Sequence, residues 1–317
     1  MQRIGILRGG IGDEYHLSLE SGARIMQALH NEGYETVDML VDREGVLHIK
    51  GIPTTVEDAS KHVDMVWNAL QGAIGEDGHI QELLDAAGVA YSGSTREAAA
   101  LAHDKLRAKE KARELGIKTP EAILVMPEGG ESISEITQNI YKKMAPPWVL
   151  KPLTGGSSVR TYFAFTPLEL AQFVDESITH GQPFIVEQYI YGKEAAVGVI
   201  DSFRGQDKYV LPVVEIKKPT RGILTHHDRK LDDHAVVIGG LRSDEREKVS
   251  KLARDMHDAI GARDYSQSEF IIDKYGKVWY IETDTVPHMH ERNAFVRALK
   301  HVGSSVEEFV KSVIGRK

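Results

Sequence analysis

Short apolar runs alternating with amphipathic helical stretches over the first ninety residues leave this chain few folds to adopt. Ile4-Gly5-Ile6-Leu7 leads through Gly9-Gly10 to a helical pattern over 18–31, then to a strand-like run over 35–41 and another over 63–68. Strand-helix-strand order of this kind builds an open parallel sheet, and ligands of such sheets gather at the carboxyl ends of the strands. Gly9-Gly10 and the loop 71–78, with three glycines and two acids, both occupy such ends. For Gly9-Gly10 the preferred reading is a tight strand-to-helix turn.

Composition narrows the function. The 317 residues, 41% hydrophobic, suffice for one large core or two to three smaller ones. No apolar run approaches the roughly 20 residues that span a bilayer, and the N-terminus runs directly into a strand, so a soluble cytoplasmic protein without a membrane partner is expected. With no cysteine, disulfides and thiolate chemistry are excluded, and Asp, Glu and His are left as metal ligands. A net charge of -8 argues against a nucleic-acid partner. Helices of mixed charge, such as 104–111, read as solvated surface.

Further along, a strand and turn at 89–94 precede one long helix over 94–115 that Gly116 stops. Between strand-like runs at 148–150 and 160–165 lies Lys151-Pro152-Leu153-Thr154-Gly155-Gly156-Ser157-Ser158. Paired glycines let backbone N–H groups approach an anion, the serines add donors and Lys151 adds charge, so this turn reads as a phosphate cradle or as a flexible hairpin. A helix over 167–180 and a strand over 184–189 follow, then long strands until helices at 245–260 and 306–314. The segment 219–238 looks like a mobile functional loop; its His226, His227, Asp228, Asp232, Asp233 and His234 read better as a solvated lid than as a metal site.

Near the C-terminus, runs at 268–273 and 278–284 flank a four-residue turn and predict a hairpin in which Asp273 faces Val278 and Glu269 faces Glu282. Asp284 then lies opposite Gln267, on the face that carries Glu269 and Glu282. Like charges opposed across strands repel, so this face either holds a cation such as Mg²⁺ that also contacts phosphates or is a solvent face with scattered acids. His288 and His290 alternate on an extended segment beyond it, as site residues or as a packed surface pair.

These pieces together resemble the ATP-grasp superfamily, and within it the D-alanine–D-alanine ligases. The resemblance covers nearly the whole chain and rests on Gly9-Gly10 with Glu14 and Ser18-Leu19-Glu20-Ser21-Gly22, Gly75-Glu76-Asp77-Gly78, Tyr91-Ser92-Gly93-Ser94, Asp104-Lys105-Leu106, Lys151-Pro152, Gly156-Ser157-Ser158-Val159, and Glu282-Thr283-Asp284-Thr285 with Pro287. It implies an α/β ATP-grasp fold: an N-terminal open parallel sheet domain over 1–95, and two α+β subdomains, 96–190 and 191–317, that clamp ATP. By the same resemblance Lys105 and Lys151 contact the α- and β-phosphates under the lid Gly155, Gly156, Ser157 and Ser158. Glu187, Gln188, Tyr189 and Ile190 read adenine, Glu194 accepts the ribose hydroxyls, and Lys230 closes over the γ-phosphate. Glu269, Glu282 and Asp284 match metal ligands for Mg²⁺, with Mn²⁺ as an alternative ion, and Glu14 and Ser157 position the first amino acid.

The implied activity is ATP-dependent formation of a dipeptide through an acylphosphate, in peptidoglycan synthesis for the cell wall, by a homodimer joined through the N-terminal domain. The acceptor half departs from the family pattern. Gln267 stands where an arginine is expected, His288 where a glycine is, and Asn293 for a serine; elsewhere Gln71 stands for a histidine in the nucleotide-proximal loop, Leu231 for a tyrosine after the loop lysine, and Asp284 for an asparagine among the metal ligands, where it keeps oxygen ligation. Three readings follow: a divergent member in which His288, His290 and Arg292 replace the missing charge, a ligase for a different amino acid or amine pair, and a nucleotide-binding pseudoenzyme.

Overall fold

The computed structural model describes residues 2–156, 160–217 and 235–316. Ser157, Ser158, Lys230, Leu231 and the histidines and aspartates of 226–234 lie outside the described residues. The first sheet has six strands, β1 (Arg3–Gly9), β2 (Glu35–Val41), β3 (Leu47–Ile49), β4 (Ile52–Thr54), β5 (Met65–Asn68) and β6 (Ala90–Tyr91), in the order β4-β3-β2-β1-β5-β6. β2, β1, β5 and β6 run parallel as expected, while β3 and β4 add an antiparallel edge that their short, mixed sequences did not signal. A Cβ on Gly9, whose φ is +97°, would lie 2.0 Å from the Val41 carbonyl oxygen, which also accepts the Gly10 N–H at 2.9 Å. This glycine pair is therefore a tight turn built into the sheet, as its sequence suggested.

The second sheet contains β7 (Ala122–Val125), β8 (Trp148–Pro152), β9 (Tyr162–Ala164) and β10 (Phe184–Gln188), in the order β7-β10-β8-β9. β8 and β9 form the antiparallel hairpin expected around the glycine-rich turn. Phe184 and Val186 of β10 join Trp148 and Leu150 of β8 in a core under the helices Ile133–Lys143 and Pro167–Thr179. With a side-chain period of two, Glu187 of β10 and Lys151 of β8 must point away from that core.

The third sheet is built on β11 (Gly192–Phe203), paired with β12 (Gln206–Val210), and continues through β13 (Val214–Lys217), β14 (Ala235–Ile238), β15 (Tyr265–Asp273) and β16 (Val278–Asp284). Ala195 and Val197 of β11 pack with Phe270, Tyr280 and the helix Ser243–Ile260. On the opposite face Ala196 and Ile200 share a core with Phe295, Phe309 and, from the first sheet, Ile4, Ile6 and Trp67. Trp67 stacks on Tyr265 with ring centroids 5.8 Å apart. Both sheets thus contribute to one apolar cluster, which fixes the carboxyl end of β5 relative to β15. Among the described residues no helix is long and apolar enough to cross a membrane.

A polar network reinforces this junction. Asp201 Oδ1 lies 3.0 Å from His257 Nε2, and His257 Nδ1 lies 2.8 Å from Ser266 Oγ. The Asp264 N–H donates to Asp201 Oδ2 at 2.8 Å, and Asp264 Oδ2 accepts the Gly93 N–H at 2.9 Å. Burial raises the Asp201 carboxyl, but the hydrogen bond and charge of His257, the Lys208 charge and the Asp264 N–H outweigh it and hold the group below its ordinary value. A depressed carboxyl stabilises the fold above its unfolded pKa of about 3.9 and ceases to as pH falls through the folded value. Wild type is therefore expected to melt above Asp201→Asn at neutral pH, with the gap closing as pH drops below about 4. A gap independent of pH, followed by thermal melting, would show that the charge contributes nothing.

Candidate active site

The carboxylate hairpin owes its geometry to one irregularity. Gln267 pairs with Asp284 and Glu269 with Glu282, as the sequence predicts, but the register shifts between Glu269 and Phe270, so that Phe270 pairs with Tyr280 and Ile281 is an extra residue. Tyr280 is fully buried in the apolar core. Strict alternation from there would aim Glu282 into the same core; the bulge turns it to the other face instead. The expected pairing of Asp273 with Val278 is corrected to Ile272 with Val278. Asp273 instead closes the turn, its Oδ1 accepting the N–H groups of Tyr275 at 2.8 Å and Lys277 at 3.0 Å.

The bulge is held by a lysine that composition placed on the solvated surface. Lys109 is fully buried; its Nζ donates to the Ile281 carbonyl at 3.0 Å and pairs with Glu187 Oε1 at 2.9 Å. Glu187 Oε2 pairs with Lys151 Nζ, also at 2.9 Å. Burial pulls the Lys109 ammonium down to about 8, because Glu187 is shared with Lys151 and returns only part of the lost hydration. Lys151 is buried too, yet Glu187 and then Glu282 keep it above its ordinary value. Burial alone would raise the Glu187 carboxyl; Lys109 and Lys151 reverse that and lower it.

The single helix expected over 94–115 is in fact two, Arg96–His103 and Lys105–Glu114. Asp104 interrupts it with an extended backbone, φ −83° and ψ 105°, and its carboxylate caps the second helix by accepting the N–H groups of Leu106 at 3.0 Å and Arg107 at 3.1 Å. That cap points Lys105 inward: it is buried, and its Nζ donates to the Gly155 carbonyl. Burial depresses the Lys105 ammonium, an effect that Glu282 opposes and Lys151 augments. Lys109 lies one turn further along the same face. The i, i+4 spacing of Lys105 and Lys109, with Ala108 and Ala112 also buried, is the signal that identifies this face as internal.

One cavity brings Lys105 to the hairpin carboxylates, while Lys109, Lys151 and Glu187 are not among its described lining residues. Its described lining includes Glu14, Glu76, His103, Lys105, Gly155 and Gly156, then Gln267, Glu269, Glu282, Asp284 and His288, with Gln71 and Asn293. Glu14 is the wedge between the first two sheets: its Oε2 lies 2.8 Å from where a Cβ on Gly72 would sit, and its Oε1 3.6 Å from one on Gly156. Gly72 has φ +79°, so Gly72→Ala strains the backbone and displaces Glu14. Turnover is expected to fall about 10²-fold with only a modest loss of stability; full activity, read by steady-state kinetics, would remove Glu14 from the site.

Glu76, from the acidic glycine-rich loop 71–78, and His103, which carries no sequence signal of its own, lie 3.5 Å apart in this cavity. Burial and then the Glu14 charge raise the Glu76 carboxyl, while burial and then Lys105 pull His103 down to about 4. Burial, followed by Glu76, also raises Asp284, whose Oδ1 accepts the Val286 N–H at 2.7 Å. Among the described residues no three carboxylates or imidazoles are gathered closely enough to hold a metal ion unaided. His290 and Arg292 are exposed and are not among the described lining residues. Glu194 lies opposite Ile271 on β11, two pairs along from Ala196 and Glu269, and so shares their face. At the end of β10, the Gln188 N–H donates to the Glu121 carbonyl, the Tyr189 ring meets Phe163 edge-on at 4.7 Å, and Ile190 is buried.

Comparison with known proteins agrees with this arrangement. Residues 112–315 match the family model described as D-ala D-ala ligase C-terminus. The D-alanine–D-alanine ligase of Fervidobacterium nodosum is 30% identical over 98% of this chain and 97% of its own length. Among solved structures, the Bacillus anthracis D-alanine–D-alanine ligase complexed with ATP superposes with a TM-score of 0.80 at 22% identity, over 99% of this chain and 97% of that one. The VanG D-Ala:D-Ser ligase of Enterococcus faecalis superposes with a TM-score of 0.83 at 20% identity, over 99% and 98% of the two chains. The chain has an ATP-grasp fold and belongs to the D-alanine–D-alanine ligase family.

Proposed function

We propose that this protein is an ATP-dependent ligase that joins the carboxylate of one amino acid to the amine of a second substrate through an acylphosphate. The observation that carries the reading is the single cavity in which a buried lysine beside a glycine-rich turn meets the carboxylates of the β15–β16 hairpin. Lys105, Lys151 and the backbone of Gly155 and Gly156 would hold the phosphates, with Ser157, Ser158 and Lys230 completing the enclosure. Glu187 fixes Lys151 for that task through their ion pair. Gln188, Tyr189 and Ile190 would line the adenine, with the Tyr189 and Phe163 rings as its apolar wall, and Glu194 would accept the ribose hydroxyls.

Glu269, Glu282 and Asp284 offer hard oxygen donors that suit Mg²⁺ or Mn²⁺. Mg²⁺ commonly takes one or two carboxylates and completes its shell with phosphate oxygens and water, so three converged protein ligands are not required. Bound there, the ion would neutralise phosphate charge. Glu14 would hold the donor's ammonium and aim its carboxylate at the γ-phosphate. That carboxylate attacks phosphorus and releases ADP; the amine then attacks the acyl carbon and expels phosphate. The protein supplies alignment and fixed charge, which are what phosphoryl transfer chiefly needs.

The test is incubation with ATP, Mg²⁺ and a panel of amino acids, following phosphate release together with product mass. Release coupled to a condensed product is expected. ATP binding without release for any member of the panel would replace this reading with that of a nucleotide-binding module.

A further inference from the structure

We infer that Gln81 and Asn68 are positioning residues for the donor amino acid: together they hold the peptide unit that aims Glu76 into the cavity. The inference rests on the ligase reading above and concerns its donor side. Glu76 ends a one-turn helix, Ala73–Glu76, and lines the cavity with Glu14. The two acids flank Gly72: its N–H donates to Glu76 Oε1 at 3.1 Å, and a Cβ built on it would lie 2.8 Å from Glu14 Oε2. A helix of one turn has too little stability of its own to fix its last side chain, so the direction of Glu76 is set from outside it.

Two buried amides set it. Asn68 Nδ2 donates to the Gly75 carbonyl at 2.9 Å and Gln81 Nε2 at 3.0 Å, which occupies both lone pairs of that oxygen. The Gly75 carbonyl and the Glu76 N–H belong to one planar peptide, so holding the carbonyl fixes the frame from which the Glu76 side chain departs. Asn68, the last residue of β5, is itself locked: its Oδ1 accepts the Leu70 N–H at 3.1 Å, and its own N–H donates to Ser92 Oγ at 3.1 Å. A Cβ on Gly75 would lie 2.4 Å from the Leu70 carbonyl oxygen, so only a glycine lets the turn close this tightly around the Asn68 amide.

Gln81 carries the stronger sign of function. It projects from the helix His79–Ala86, is 2% exposed, and its Oε1 has no hydrogen-bond partner among the described residues. The amide is not reversed, since that would set one oxygen against the Gly75 carbonyl. An unpartnered buried oxygen costs stability. An apolar side chain of the same length would fill the space without that cost; what the amide adds is its hold on Gly75.

The donor is the amino acid of the panel that supports phosphate release. Gln81→Met is expected to lower kcat/KM for that donor about tenfold, the scale of one misplaced polar contact, with KM for ATP unchanged and the melting temperature equal to or above that of wild type. Glu76→Ala is expected to lower donor kcat/KM as well, and adding Gln81→Met to it to change nothing further, because the amide acts through the side chain it aims. If Gln81→Met does not fold, Asn68→Ser, too short to reach both the Leu70 N–H and the Gly75 carbonyl, is expected to give the same kinetic pattern. An unchanged donor kcat/KM, a loss matched by a rise in KM for ATP, or a loss that recurs in full in the Glu76→Ala background overturns the inference and leaves the ligase reading intact. No phosphate release with any amino acid overturns both.

Discussion

Lys109→Met is expected to destabilise the protein by about 3–5 kcal/mol, the usual cost of stranding one partner of a buried ion pair. Lys109 is fully buried between the Glu187 carboxylate and the Ile281 carbonyl. Methionine fills most of its volume, so the loss would be electrostatic rather than a cavity effect. Lys151 still faces Glu187 and limits the damage. Release of the Ile281 carbonyl also removes a restraint on the bulge that aims Glu282. A fall in melting temperature of several degrees, together with a raised Mg²⁺ requirement, is the expected pair of observations. A fall in stability with an unchanged Mg²⁺ requirement would separate Lys109 from the site and leave it a role in folding alone.

Glu282→Gln is expected to lower turnover by about 10²–10³-fold, comparable with the loss of one charged group from a preorganised site. Its effect on stability should be small. Glu282 and Glu269 are direct cross-strand partners, and opposed like charges cost about 0.2–1 kcal/mol. Against that relief stands the loss of the charge that supports the buried Lys105 and Lys151 ammoniums, so without metal the melting temperature should change little. Activity lost with stability kept marks a functional rather than a structural residue. Parallel loss of both, in thermal melts without metal beside steady-state phosphate release, would make Glu282 a structural residue.

Much of this architecture was legible because it repeats local rules. The β1 and β2 runs, the glycine-rich hairpin and the C-terminal hairpin each carry periodicity and turn residues that agree with one another. The pairing of Glu269 with Glu282 was expected from a four-residue turn, but the turn is one residue longer, with Ile272 opposite Val278, and the bulge at Ile281 restores that pairing. The bulge was not legible, since Ile281 continues an ordinary apolar alternation and its displacement depends on a lysine 172 residues away in sequence. Lys109 itself was hidden by composition: among Lys105, Arg107, Glu110 and Lys111 it looks solvated, and only its Glu187 partner from another sheet makes burial tolerable. Asp104 breaks the expected long helix because its side chain competes for helix N–H groups, a choice that neighbouring helix formers mask. Glu76 was visible in the acidic, glycine-rich loop 71–78 at a strand end, whereas His103 carried no pattern of its own and meets Glu76 only by tertiary placement.

The central claim is that a carboxylate of the donor takes the γ-phosphate of ATP before the amine arrives. Labelling the donor carboxylate of the amino acid that supports turnover with ¹⁸O, and measuring the mass of the released phosphate, tests this most directly. The account predicts ADP and phosphate carrying one donor-derived ¹⁸O per turnover; phosphate without the label, or release of AMP and pyrophosphate, would contradict it.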